Sequence, residues 1–330
     1  MTRCVLVLAL VACGNDLPPS GSCAVPAASG EPVVTQVPLV GQAATFDDLH
    51  FAPALGKVVA APEGVGRLFL VDPETLEVQT IGTSGGTASA DADAQYVYAL
   101  DRRNDQIVVY DVRDGGVLTS LPLDGNPDYI RLAPDGELWV TLPGKDRIDV
   151  VAITSDPVSL TRVGSIAISG APEGLTFGNG RGYTQTGGRA VTIDLAERLV
   201  IGEHDTGCGA SHGFPQVDDG YGLVIGGCAA SGGAGVVSRD GELLTGFEAG
   251  GDAAVLAYDG ARHHFYLRGD PGSDLAMLAV CPDGGMTEMA RVQISDEGHA
   301  STVDDLGNVW VADATTGGLF RVSDPFASTK

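Results

Sequence analysis

The sequence predicts an all-β fold, a seven-bladed β-propeller of four-stranded blades whose ring is closed by an N-terminal strand in the last blade. Three observations carry that expectation. One short phrase, made of an alternating run, a turn and a second alternating run, recurs seven times, with its fixed point at Asp47, Gly86, Asp128, Glu173, His212, Asp252 and His299. Successive members of this column lie 39, 42, 45, 39, 40 and 47 residues apart, the period of one blade. The seventh copy runs out before a fourth strand, while a spare strand-like run, 32–40, precedes the first.

The third copy, 126–140, shows the phrase best: two alternating runs separated by Pro134-Asp135-Gly136, which reads as a β-hairpin. The other copies begin at Thr45, Gly85, Ala171, Ala210, Gly250 and Gly298, the second being the weakest. Further strands follow each hairpin: 67–72 and 77–81 in blade one, 106–111 and 116–121 in blade two, 308–312 and 318–322 in blade seven. Placing 32–40 in blade seven joins the two chain ends in one sheet and removes the edge that an open ring would expose. The 47 glycines and 18 prolines suit many tight turns. The stretch 194–199 comes nearest to helical periodicity and reads as turn and strand. Residues 32–330 are therefore expected to form a single domain.

With Gly125-Asn126-Pro127, the Pro134-Asp135-Gly136 turn and Trp139-Val140-Thr141, the third copy resembles the YVTN-type repeat family of propellers. The likeness runs from Thr45 to Val322, with blades two, five and six departing from it. It implies the fold and little about activity, since propellers host many functions.

The N-terminus predicts export. A basic start, an apolar run at 5–12 and Leu10-Val11-Ala12-Cys13 resemble a lipoprotein signal. This gives a signal peptide at 1–12, a lipidated Cys13 with a flexible tether over 13–31, and anchorage in the cell envelope at its periplasmic or outer-membrane face. Export permits disulfides. Cys208 precedes the first strand of blade five and Cys228 ends its second, so a hairpin folded about Asp218-Asp219-Gly220 returns them to one edge. Subtraction then leaves Cys23 and Cys281 as a second pair. A net charge of −24 argues against nucleic acid and against docking on anionic lipid through the protein surface. The expected contacts are the membrane, through the lipid anchor alone, and an envelope protein partner, with the chain a monomer.

Inner strands of a propeller run in one direction, so the column is expected to form a ring at one channel mouth. His212, Asp252 and His299 come from three successive blades, with Asp47 and Glu173 on the flanks. Two imidazoles with carboxylates suit a divalent metal, zinc by the usual preference. The other reading is a set of solvated loop-end residues around a water-filled channel. Cys208-Gly209-Ala210-Ser211-His212-Gly213 with Gly226-Gly227-Cys228 also resembles periplasmic zinc-metallochaperone propellers, which implies zinc at His212 and a disulfide between the two cysteines. Blade five alone carries that likeness. Three functional classes stay open: a metal-binding or metal-carrying propeller, a metal-dependent lactonase- or lyase-like enzyme with Asp128 or Glu173 as base, and a metal-free interaction propeller.

Other features are discounted. Gly209-Ala210-Ser211-His212-Gly213 matches a nucleophile elbow but lacks the strand-to-helix setting that motif needs. His263 and His264 are neighbours on a strand and face opposite ways, so they cannot share an ion. His50, three residues after Asp47, is expected to face away from it as a packed or exposed residue, and His204 to sit in an acidic loop, 203–205.

Overall fold

The computed structural model describes residues 23–209, 213–228, 233–248, 256–268, 274–295, 298 and 300–326. It is a ring of seven four-stranded antiparallel sheets, each meandering outward from the channel. Blade one consists of Phe46–Ala52, Lys57–Pro62, Arg67–Val71 and Val78–Gly82. Blade two follows with Thr87–Ala92, Tyr96–Asp101, Gln106–Asp111 and Val117–Pro122. The inner strands of blades three to seven are short: Ile130–Leu132, Thr176–Gly178, Gln216–Asp218, Ala257–Asp259 and Ser301–Val303. A single 3-10 turn, Pro143–Lys145, interrupts the strands among the described residues.

Burial follows position in the blade. Second and third strands are covered on both faces by neighbouring blades, so Tyr96–Asp101 and Gln106–Asp111 are buried almost throughout, as near-continuous apolar runs require. The outermost strand, Val117–Pro122, is largely exposed. Between blades one and two, Leu68, Leu70 and Val59 pack against Val97, Ala99 and Ala90. Trp139 fills the equivalent space beside blade four, and Trp310 that beside blade one.

Much of the acidic composition is spent on corners. Asp72, Asp111 and Asp194 each end or follow a third strand and accept backbone N–H groups of the following turn. In all three turns the residue four positions on donates its N–H back to the aspartate carbonyl at 2.9 Å. That residue is left-handed: Leu76, Gly115 and Arg198 have φ of 61°, 70° and 55°. Only Gly115 takes this conformation without steric cost.

The spare N-terminal run closes the ring as predicted. Val34–Pro38 pairs antiparallel with Gly318–Ser323, Val34 opposite Val322 and Val37 opposite Leu319. Val37 is buried against Phe46, Trp310 and Leu319. Both expected disulfides are present, Cys23–Cys281 and Cys208–Cys228. The first fixes the N-terminal segment to blade six, where the Cys23 N–H also donates to Thr287 Oγ1 at 3.0 Å. The segment expected to be a tether is thus held to the ring from Cys23 onward. The acidic 203–205 segment is not a loop, since it ends the outer strand Leu199–Asp205 of blade four. His263 and His264 do diverge, the first onto Asp218 at 2.7 Å and the second onto the buried Asp324 at 2.6 Å.

Replacing Cys23 and Cys281 together with alanine is expected to cost about 2–4 kcal/mol of stability, the usual effect of losing a long-range disulfide. Calorimetry checks this. An unchanged melting temperature would show that strand pairing alone secures the N-terminus.

Candidate functional site

The channel has three levels. At the first mouth, Asp47 and Asp128 of the column are drawn together by Arg102, which follows the second strand of blade two. The Arg102 guanidinium contacts the Asp47 carboxylate, lies 2.7 Å from Asp128 Oδ1 and 3.2 Å from Glu63 Oε1, and donates to the Asp128 carbonyl at 2.7 and 3.0 Å. It also lies 5.3 Å from the centroid of the Tyr129 ring. Gly86 of the column is held close to the same turn: a Cβ there would lie 2.5 Å from Arg103 Cβ. Glu173 turns toward blade five, where its Oε2 accepts the Gly213 N–H at 3.0 Å.

The ion pair acts unequally on its partners. Burial works against the Arg102 charge, but Asp47 and Asp128 outweigh it and hold its pKa above the ordinary value. Asp128 is nonetheless pushed up to about 7, by burial first and then by the charges of Asp47, Glu173 and Asp48, which one shared guanidinium does not offset. The other three proposed metal ligands, His212, Asp252 and His299, lie outside the described residues. Among the described residues no three His, Cys, Asp or Glu side chains form a metal-binding group.

The middle level is spanned by an ion pair. Arg131 reaches from blade three across to Asp48 of blade one, its two terminal nitrogens 2.8 and 2.6 Å from the two carboxylate oxygens. Ser89 of blade two donates its hydroxyl to Asp48 Oδ2 at 2.6 Å and accepts the Ile130 N–H at 3.2 Å. From blade five, the Phe214 ring lies 4.2 Å beneath the Arg131 guanidinium and meets Tyr129 edge to face. Arg131 and Asp48 are 4% and 2% exposed, so this bidentate pair is a buried cross-brace rather than a surface pair. Burial opposes the Arg131 charge, yet Asp48 more than offsets it and raises the pKa.

Beyond the brace the channel widens into a cavity of about 600 Å³, lined by the inner strands of all seven blades. That size is typical of a small-molecule site. Leu49, Phe51, Leu175, Phe177, Leu256 and Tyr258 supply much of the wall. Its polar corner is His50, whose Nε2 lies 3.2 Å from Asp91 Oδ1. Backbone N–H groups of Leu132 and Ala92 fix that carboxylate at 2.8 and 2.7 Å. Burial disfavours the Asp91 charge, but His50, Arg131 and the Leu132 N–H outweigh it and lower the pKa.

Arg102, Arg131 and His50 are absent from the sequence-derived site. Alternation counted from Asp47 turns His50 away from the column, but a break in register between Phe46 and Leu49 resets the count. The same irregularity recurs between Thr87 and Ser89. Asp48 with His50, and Ser89 with Asp91, thereby meet in the channel. A signal was present: Asp48 and Ser89 lie 41 residues apart, about one repeat, as do His50 and Asp91.

No protein-family model and no curated protein matches the sequence. Solved structures of similar shape include a streptogramin B lyase, with a TM-score of 0.70 and 15% identity over 88% of this chain and 97% of that one. A virginiamycin B lyase from Staphylococcus aureus gives 0.70 and 14%, over 89% of this chain and 100% of that one. The WD40 repeats of RRP9 give 0.73 and 10%, over 91% and 98%. At such identities the likeness defines the class of fold, a seven-bladed propeller, and nothing narrower.

With its pKa raised from 3.8 to about 7, Asp128 favours the folded state below pH 4, and that contribution is lost as pH rises to 7. Asp128→Asn is therefore expected to raise the melting temperature by about 2 °C at pH 8, with the gain vanishing toward pH 4. A pH-independent difference would contradict the crowding of charge at this mouth.

Proposed function

We propose that the chain is an exported, lipid-anchored propeller that binds a small, largely apolar organic ligand in its channel. The observation that carries this is the cavity itself: all seven blades contribute to it, Arg131 of the buried Asp48–Arg131 pair lines it, and its walls are largely apolar. Two disulfides support an oxidising compartment, in keeping with lipidation at Cys13. The lyases among the fold neighbours are examples of propellers that carry small-molecule chemistry.

Ala54 is exposed and lines the cavity, so Ala54→Trp should obstruct entry without disturbing the core. The neutral fluorophore N-phenyl-1-naphthylamine is expected to bind the wild type one to one, and the variant about tenfold more weakly, a loss of roughly 1.4 kcal/mol. Equal binding to both proteins, or none to either, would remove the proposal.

A second reading is favoured by the crowded carboxylates of the opposite mouth. There a divalent cation, zinc by preference, would be held by His212, Asp252 and His299 with Glu173 and Asp47, Arg102 already neutralising part of the Asp47–Asp128 side. The role would be metal binding or carriage. Elemental analysis of untagged protein is expected to show one equivalent of metal, lost on His212→Ala or His299→Ala. Metal-free wild type, or unchanged content in both variants, would discard this reading.

A further inference from the structure

We propose that His50, oriented by Asp91, is the hydrogen-bond acceptor of the channel cavity, and that its ligand is an apolar or aromatic molecule bearing an O–H or N–H group, uncharged or cationic rather than anionic. This rests on reading the cavity as a ligand site.

The tautomer follows from the partner. An ionised carboxylate only accepts hydrogen bonds, so the Nε2 that faces Asp91 at 3.2 Å carries the hydrogen, and in the neutral ring Nδ1 holds a lone pair. Nδ1 has no hydrogen-bond partner among the described residues, while the His50 side chain keeps 26% of its surface open in the cavity, where Asp91 and Arg131 are buried. Asp91 cannot swing away, because two backbone N–H groups hold it as well.

Several of the strongest donors of the wall are already engaged. Both terminal nitrogens of Arg131 face Asp48, and one also reaches the Ile130 carbonyl. Tyr258 donates its hydroxyl to Asp218, and Gln216 donates to the Leu256 carbonyl at 2.8 Å.

Charge points the same way. The charged and titratable groups that line the cavity with His50 are Asp91 from blade two, Arg131 from blade three, paired with Asp48, and Tyr258 from blade six, with the blade-seven inner strand Ser301–Val303 uncharged. Asp48 and Arg131 cancel. Above the pH at which the His50 ring protons titrate, Asp91 is then unbalanced, so a carboxylate ligand meets repulsion and an ammonium or hydroxyl does not.

Three probes with the same ring and different heads test this: benzyl alcohol, benzylamine and benzoate, each competing with N-phenyl-1-naphthylamine. In the wild type, benzyl alcohol and benzylamine are expected to bind at least about fivefold more tightly than benzoate, the effect of one net hydrogen bond. His50→Phe should abolish the preference for benzyl alcohol, and His50→Gln, whose amide oxygen accepts, should restore part of it. In wild-type protein, benzoate binding should strengthen below the pH at which the His50 ring protons titrate by NMR, since protonation turns the acceptor into a donor. Benzoate binding as tightly as the others, or an unchanged order in His50→Phe, overturns the assignment while fluorophore binding still upholds the cavity. Fluorophore binding that Ala54→Trp leaves unchanged overturns both.

Discussion

Everything in this molecule depends on one edge-to-edge pairing. Each blade is a small sheet whose middle strands gain their burial from the blades on either side, so no blade is complete unless the ring is. Pairing Val34–Pro38 with Gly318–Ser323 supplies the missing strand and places Val37 between Phe46 and Trp310. Because the two partners lie far apart in the sequence, this contact forms at a high loop-closure cost. The Cys23–Cys281 bond reinforces the same region from the neighbouring blade.

Closure also sets the chemistry of the channel. Inner strands that do not hydrogen-bond to one another are connected there through side chains: Asp48 to Ser89 and Arg131, His50 to Asp91, Arg102 to Asp47 and Asp128. These pairs join blades one, two and three, with Phe214 added from blade five. The polar groups thus stitch the ring across its axis while apolar clusters hold it at its circumference. A buried bidentate pair such as Asp48–Arg131 contributes more to the uniqueness of this arrangement than to its net stability, because desolvation offsets much of the attraction.

The architecture was largely legible because its signals are local. Strand alternation, the Pro134-Asp135-Gly136 turn and the blade period are properties of short stretches, and the spare run 32–40 was identifiable by what blade seven lacked. The disulfides were legible for a related reason: a hairpin returns Cys208 and Cys228 to one edge, and two cysteines remained. The channel was legible only in part. The column located a mouth rich in carboxylates, but Arg102 lies outside the repeated phrase and owes its place to geometry between blades. His50 was misassigned because one irregularity of register reverses the facing of each residue after it, and no composition or motif announces such a break.

The cross-brace at the middle of the channel imposes a direction on whatever enters. Arg131 over Phe214 forms an end wall, so an elongated molecule goes in with one end leading and has little room to reverse. Recognition would then read the order of groups along a molecule as well as their identity. For a ligand bound as proposed, the leading end would meet Arg131 and Phe214, the flank would pass His50, and the trailing end would lie near the exposed Ala54.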